Sequence, residues 1–265
     1  MTALFPFNSP NPRRRARPRL PASTVFQIDA SLLASYPGSG QTWFNVWKKP
    51  ADGLTQSAYD FWLGRDTNAT TDDPAFSTNK FTLDGGDYAE VKNTQDFFRN
   101  QVRSDLTNAW WCASALMIGS AAVQQTVLGT TNASTTRGWR FDHNTTPNLR
   151  FIRADGTTNN TTNLHNLSGK VGVPLLHVFT WNNQNQSYKS ALNSRIFTAN
   201  GNAANVPITQ QNPGKFNFGS ANHGTQKLSS GSELYGMAMG AGLLTNDDLA
   251  AIVNYYNTLH NRLYA

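Results

Sequence analysis

The chain has 265 residues, 38% of them hydrophobic and 14% charged. That charged share is well below the ~25% of ordinary soluble domains; Asn, Thr, Ser and Gln carry the polarity instead, which fits a loop-rich β protein better than a helical one. The net charge of +6 is concentrated in Arg13, Arg14, Arg15, Arg17 and Arg19: the other 17 of the 22 basic residues nearly cancel the 16 acidic ones, which excludes a body that gathers polyanions by its long-range field.

Residues 1–22 read as an extended Pro/Arg-rich arm. Pro6, Pro10, Pro12, Pro18 and Pro21 remove amide donors and favour extended backbone, while Leu4, Phe5 and Phe7 make an apolar tip that calls for a covering surface. No basic region followed by an apolar run marks a secretory signal peptide. No stretch approaches the ~20 apolar residues of a membrane span. Cys112 is the lone cysteine, so no intrachain disulfide forms, and folding in a reducing host cytoplasm is expected. The sequons at Asn68, Asn132 and Asn144 then read as by-products of Asn/Thr richness.

Residues 23–265 read as one β body. "TVFQIDAS" (Thr24–Ser31) opens it as a strand. Pro37, Gly38 and Gly40 turn the chain before Trp43, Phe44, Val46 and Trp47, and "ADGL" (Ala51–Leu54) turns it again. "SAYDFWLG" (Ser57–Gly64) reads as a strand, and residues 65–79 as polar and irregular. "KFTLDGGDYAEV" (Lys80–Val91) has the Asp-Gly signature of a hairpin. Residues 94–106 have helical spacing. "NAWWCASALMIG" (Asn108–Gly119) reads as a long buried strand. Further strands are expected over 123–129, 138–143, 148–156, 171–182, 186–201, 214–220 and in "SELYGMAMGAGLL". So many strands at this spacing indicate a sandwich or barrel. The end differs: Leu249, Ile252, Val253, Tyr256 and Leu259 repeat with helical period. Thr245 with Asp248 forms a capping box, so a helix is expected over about 245–262.

The ordered series Ile28-Asp29-Ala30-Ser31, Gly38 to Trp43, Phe81 through Val91, Trp110–Ile118, Phe216–Gly219 and Leu234–Ala250 resembles the laminin-G-like, concanavalin A-like jelly-roll family, over roughly residues 24–262. One family strand is matched only by Leu175–Phe179, without its preceding tryptophan. The resemblance implies an all-β, antiparallel jelly-roll β-sandwich with one C-terminal helix and an extended N-terminal arm. Copies without a secretion signal are common in phage-like virions. The implied role is therefore a non-enzymatic virion protein, a head decoration, spike or tail-fibre-associated component. Other virion proteins (capsid, portal or tail), further copies of itself and host glycans are its implied partners.

Glycan binding needs an aromatic platform ringed by planar polar groups. Trp139, His143, Trp181, Asn182, Asn183 and Tyr188 lie near expected strand ends and are the candidates; core packing is the competing reading for both tryptophans. Trp43, Trp47, Trp62, Trp110 and Trp111 read as core. No cofactor is expected, except that calcium could be held by Asp84, Asp87 and Asp155, for which turn formation is the simpler explanation. Hydrolysis needs two carboxylates flanking one bond. The two glutamates, Glu90 and Glu233, are far apart, and Asp142 and Asp155 lie next to turns, so polysaccharide hydrolysis stays a lesser alternative. The arginines of the arm suit bidentate docking on an acidic neighbouring protein. The alternative is a jelly-roll capsid protein whose arm neutralises packaged nucleic acid.

Overall fold

The computed structural model describes residues 18–47, 54–131, 136–203, 207–221, 224 and 226–265. Leu4, Phe5, Phe7, Arg13, Arg14, Arg15 and Arg17 of the arm and the turn at 51–53 lie outside the described residues. Of the arm arginines, Arg19 is described, and it is exposed.

In chain order the strands are β1 (Thr24–Asp29), β2 (Thr42–Trp43), β3 (Phe61–Leu63), β4 (Ala75–Ser77), β5 (Lys80–Thr82), β6 (Ala89–Val91), β7 (Ala109–Met117) and β8 (Gln125–Gly129). Then follow β9 (Gly138–His143), β10 (Asn148–Ala154), β11 (Asn159–Asn166), β12 (Pro174–Asn182), β13 (Ser187–Leu192), β14 (Ala199–Asn202), β15 (Asn217–Phe218) and β16 (Glu233–Ala241). A single helical turn, α1 (Asp96–Arg99), precedes β7, and one full helix, α2 (Asn246–His260), ends the body. The first sheet runs β14-β13-β12-β7-β16-β5-β4, with β1 also pairing β16; the second runs β11-β10-β9-β8-β15-β6-β3-β2. All strand pairs are antiparallel. The fold is the expected all-β, jelly-roll-type sandwich closed by a C-terminal helix.

The alternation of side chains along a strand explains how the layers assemble. On β7, Trp110, Cys112 and Leu116 face the second sheet, and Trp111, Ala113 and Ala115 face the other way. The inward set joins Phe26, Trp43, Trp139, Phe141, Phe151, Phe179, Trp181 and Phe216 in the main core. The outward set meets Leu249, Ile252, Val253 and Tyr256 of α2. The centre of the first sheet is therefore buried on both faces. α2 starts as its sequence dictates: Thr245 Oγ1 accepts from Asp248 N at 3.1 Å, and Asp248 Oδ2 accepts from Thr245 N at 2.9 Å. It stops at Asn261, whose φ of 50° ends the helix in the left-handed region.

Four local expectations need correction. Lys80–Val91 is not a hairpin: β5 pairs β16 in the first sheet and β6 pairs β15 in the second. The Asp84–Asp87 turn carries the chain across the sandwich, with Leu83 N donating to Ser232 O at 2.9 Å rather than to its own second arm. The hairpin is instead β4–β5, turned by Thr78 and Asn79 at φ 37° and 70°. Ser57–Gly64 is half strand, because Gln56–Tyr59 forms a 3-10 turn. β11, "NNTTNLHN", was not foreseen; only Leu164 enters the core, so it has no apolar alternation to read. Its polarity is that of an exposed edge strand. The helix expected over 94–106 is reduced to α1, since Gln95 supplies no side-chain cap and a single turn has little stability of its own.

Two buried polar sets interrupt the cores. Asp29 and His260 tie β1 to α2, Nε2 to Oδ2 at 3.0 Å, with side chains 0% and 2% exposed. His260 Nδ1 meets Tyr264 Oη at 2.7 Å, and Asp29 Oδ1 accepts Ser31 N at 2.8 Å. A Cβ on Gly236 would lie 2.2 Å from Asp29 Oδ2, so β16 carries glycine there to admit the carboxylate. Between the sheets, Ser190 Oγ contacts His165 Nε2 at 2.8 Å and His177 Nε2 at 2.9 Å. Burial holds His165 down to about 4 and His177 well below its ordinary value, and each is depressed further by a neighbour, Lys170 and His165 respectively.

Replacing His260 by alanine leaves buried Asp29 Oδ2 without its Nε2 partner. Leaving a buried polar group without its hydrogen-bond partner costs about 1–3 kcal/mol. Chemical denaturation of H260A should show a loss of that size; a loss under about 1 kcal/mol would remove the clamp from the account. The histidines predict a pH dependence. Their folded values lie below the ~6.5 of the unfolded chain, so their neutral burial stabilises fully above about 6.5. That contribution is lost as pH falls towards 4, the folded value of His165. For His165 it amounts to about 3 kcal/mol across that window. Burial of Asp87 raises its carboxyl to about 6 and acts in the opposite sense, so the difference from H165N isolates the histidine. The variant's stability should fall less steeply below pH 6.5 than the wild type's; parallel curves would contradict the assignment.

Candidate functional site

The alternation that builds the main core also removes most of the expected sugar platform. Trp139 shares the inward face of β9 with Phe141, Trp181 shares that of β12 with Phe179, and both indoles are 0% exposed. Trp139 Nε1 donates to Phe98 O at 3.1 Å, and Trp181 Nε1 donates to Asn183 Oδ1 at 2.5 Å. The Arg153 guanidinium covers the Trp181 ring at 4.7 Å. His143 and Asn183 are buried too. Asn182 is half-buried, as is Tyr188, whose ring stacks on Phe179 at 6.1 Å. These residues do not form a surface. Conversely, Trp47 and Trp62 are only half-buried, and Trp62 lies on the outer face of the second sheet under Lys92 Nζ at 3.9 Å.

The calcium candidates are separated. Asp84 and Asp87 share the crossover corner, where Asp87 Oδ2 accepts Asp84 N at 2.6 Å and Asp84 Oδ1 accepts Gly86 N at 2.7 Å. Asp155 lies in the β10–β11 turn. Its carboxylate accepts the backbone amides of Thr157 and Thr158, both at 2.7 Å, and these bonds hold its pKa below the usual carboxylate range. Turn formation accounts for all three. Among the described residues no group of three or more His, Cys, Asp or Glu could hold a metal ion. The acids considered for hydrolysis are bound up elsewhere. Asp142 is 0% exposed between Arg150 at 2.8 Å and Arg140 at 3.3 Å. Glu90 pairs with Lys215 at 2.7 Å, and Glu233 with Lys80 at 2.5 Å.

A cleft of about 400 Å³ opens instead at one end of the sandwich, lined by Asp96, Phe97, Asn100, Gln101, Leu106, Thr107, Asn108, Ala109 and Ala241. It exists because the chain leaves α1 after one turn and reaches β7 through further turns. Phe98 anchors that segment in the core, stacked on Phe216 at 4.4 Å. Phe97, next in sequence, is half-buried and packs edge-on against Tyr59 and Phe98. Around it stand amides. Asn100 Oδ1 and Gln101 Oε1 are buried without a hydrogen-bond partner, although Gln101 as a whole is only 1% exposed. Asn108 is fixed from behind: its backbone O accepts Asn183 N at 3.1 Å and its side-chain Oδ1 accepts from Asn183 Nδ2. Asp96 is 71% exposed at the mouth and accepts from Gln211 Nε2 at 2.6 Å.

Asn183 thus belongs to the site by one remove, while the lining residues were missed in the sequence. Their signal was present: a Phe-Phe pair followed by Asn100, Gln101 and Asn108. The first four of these residues fall in the stretch read as helical, and Asn108 opens the stretch read as a buried strand.

No family model matches the chain, and no curated protein matches it. Solved structures do. Trypanosoma rangeli sialidase in complex with 2,3-difluorosialic acid matches with a TM-score of 0.61 at 10% identity, covering 90% of this chain and 34% of that one. The binding domain of botulinum neurotoxin serotype D matches at 0.56 and 12% identity, covering 89% and 51%. The chain spans about a third to a half of these structures. At such identities the likeness shows the fold alone, an antiparallel, jelly-roll-type β-sandwich.

Proposed function

We propose that the protein is a non-enzymatic carbohydrate-binding protein that takes a saccharide in the Phe97 cleft and is attached to a larger particle, a virion, through its N-terminal arm. The carrying observation is the half-buried Phe97 ring beside amide oxygens that have no partner. An apolar face suits the C–H face of a sugar ring, and planar amides suit its hydroxyls. The sharing of the sandwich with a protein named as a sialidase is compatible with this reading but brings none of the residues with it.

Absence of turnover is supported by the acids. Asp96 is the one carboxylate among the described lining residues, whereas most glycosidases flank the bond with two. Attachment is supported by the root of the arm. Leu20 packs with Trp111 and Tyr256, and Thr24 N donates to Pro21 O at 3.0 Å, so the arm leaves from a fixed point beside α2. Assembly with further copies of the chain belongs to the same proposal.

Phe97→Ala should weaken binding of a saccharide found by array screening at least tenfold, about 1.4 kcal/mol, by calorimetry. Asn100→Ala provides a second variant should the first lose its fold; unchanged affinity in folded forms of both places the ligand elsewhere. Deleting residues 1–17 should leave a folded body that no longer joins the particle. Retained incorporation counts against docking, and salt-sensitive binding of the isolated arm to DNA or RNA favours the capsid alternative.

A further inference from the structure

We infer that the Phe97 cleft selects neutral sugars presenting hydroxyl donors and rejects sugars bearing a carboxylate or sulfate. This rests on the saccharide reading of that cleft and adds its chemical class.

Two buried side-chain acceptors of the lining residues are unused. Asn100 Oδ1 and Gln101 Oε1 have no partner, and a buried acceptor left unpaired costs about 1–3 kcal/mol. Terminal amide torsions are broad, so a small rotation turns either oxygen toward a ligand hydroxyl without breaking an existing acceptor bond. The Asp96 carboxylate at the mouth accepts hydrogen bonds and cannot donate them. Among the described lining residues there is no lysine or arginine. Arg99 stands beside the mouth, with Nη1 3.7 Å from Asp96 Oδ1; its Nε donates to Asn212 O at 2.7 Å.

A vicinal pair of hydroxyls supplies the two donors these oxygens lack. An acidic sugar brings a charge that cannot donate, into a cleft whose mouth already holds the Asp96 carboxylate. Arg140 and Arg150 are engaged on Asp142, and Lys215 on Glu90. A site built to hydrogen-bond hydroxyls discriminates strongly against ligands that leave its groups unpaired.

The test uses the full chain and paired oligosaccharides, each a neutral sugar and its counterpart carrying one uronic acid or one sulfate. Calorimetry should show the neutral member binding at least tenfold tighter, with little change between low and high salt. Asn100→Leu should lose at least fivefold, while Asn100→Asp, which keeps an acceptor, should retain neutral binding and disfavour the acidic member further. Asp96→Asn should narrow the gap by improving the acidic member. Equal or tighter binding of acidic sugars, lost in Phe97→Ala, overturns the inference while leaving the carbohydrate reading standing. Failure of every sugar to bind overturns both.

Discussion

β7 and β16 have no solvent face, and the arrangement of the molecule follows from that burial. Strand alternation sends Trp110, Cys112 and Leu116 of β7 into the sandwich and Trp111, Ala113 and Ala115 towards α2. β16 divides in the same way, with Leu234, Met237 and Met239 inward and Tyr235 and Ala238 outward. A sheet buried on both faces disfavours polar residues at its centre, where Ser114 of β7 is an exception at 0% exposure, and it leaves little room where other chains cross it. Gly240 of β16 shows the second constraint: a Cβ there would sit 2.4 Å from Ser23 O and from Trp111 Nε1. That indole donates to Ser23 Oγ at 3.0 Å, so the entry of the chain, β7 and β16 meet at one point. Small residues on the α2 side of β7 similarly let the helix approach closely.

Polarity in this fold is therefore pushed to particular levels. Asp29 and His260 are admitted between β1 and α2 because Gly236 yields space. His165 and His177 are admitted between the sheets because Ser190 serves both rings. On the outer face of the second sheet, Asp142 is buried under two arginines and Gln124, whose Nε2 donates to it at 2.8 Å. Each carboxylate so placed, Asp29 and Asp142, is held by partners within the fold. A buried ion pair such as Asp142 with Arg140 and Arg150 adds less net stability than its geometry suggests. Its consequence is specificity of arrangement: Asp142 would become a buried, unpaired charge if its strand shifted register.

The regular elements were legible in the sequence for a physical reason. "GWRFDH" is a strand because Trp139 and Phe141 must share a face, and α2 is a helix because Leu249, Ile252, Val253 and Tyr256 must share another. Thr245 and Asp248 mark its start without tertiary help. What was not legible depended on partners distant in sequence. Whether Asp84-Gly85-Gly86-Asp87 closes a hairpin or crosses the sandwich is decided by Ser232 and by β15, more than 120 residues away along the chain. β11 carries no pattern of its own and is set by pairing with β10. The cleft was hidden for the same reason. Residues 94–106 carry a helical pattern, yet Trp139 Nε1 takes the Phe98 carbonyl at 3.1 Å and Ile208 O takes Ser104 N at 2.8 Å.

The two tryptophans read from the sequence as rivals for a sugar platform hold the site from behind. Trp139 fixes the carbonyl of Phe98 and so the backbone that presents Phe97. Trp181 fixes Asn183, which holds Asn108 by both its backbone and its side chain. Each indole is an apolar body in the core with one polar handle reaching the segment that lines the cleft. A binding surface built on irregular backbone needs such support, because a loop without it would pay the cost of ordering at each encounter. Here the supporting bonds come from strands β9 and β12, whose indoles are buried in the main core. The irregular segment is thus tied to the core, while Asn100 Oδ1 and Gln101 Oε1 are left without a hydrogen-bond partner.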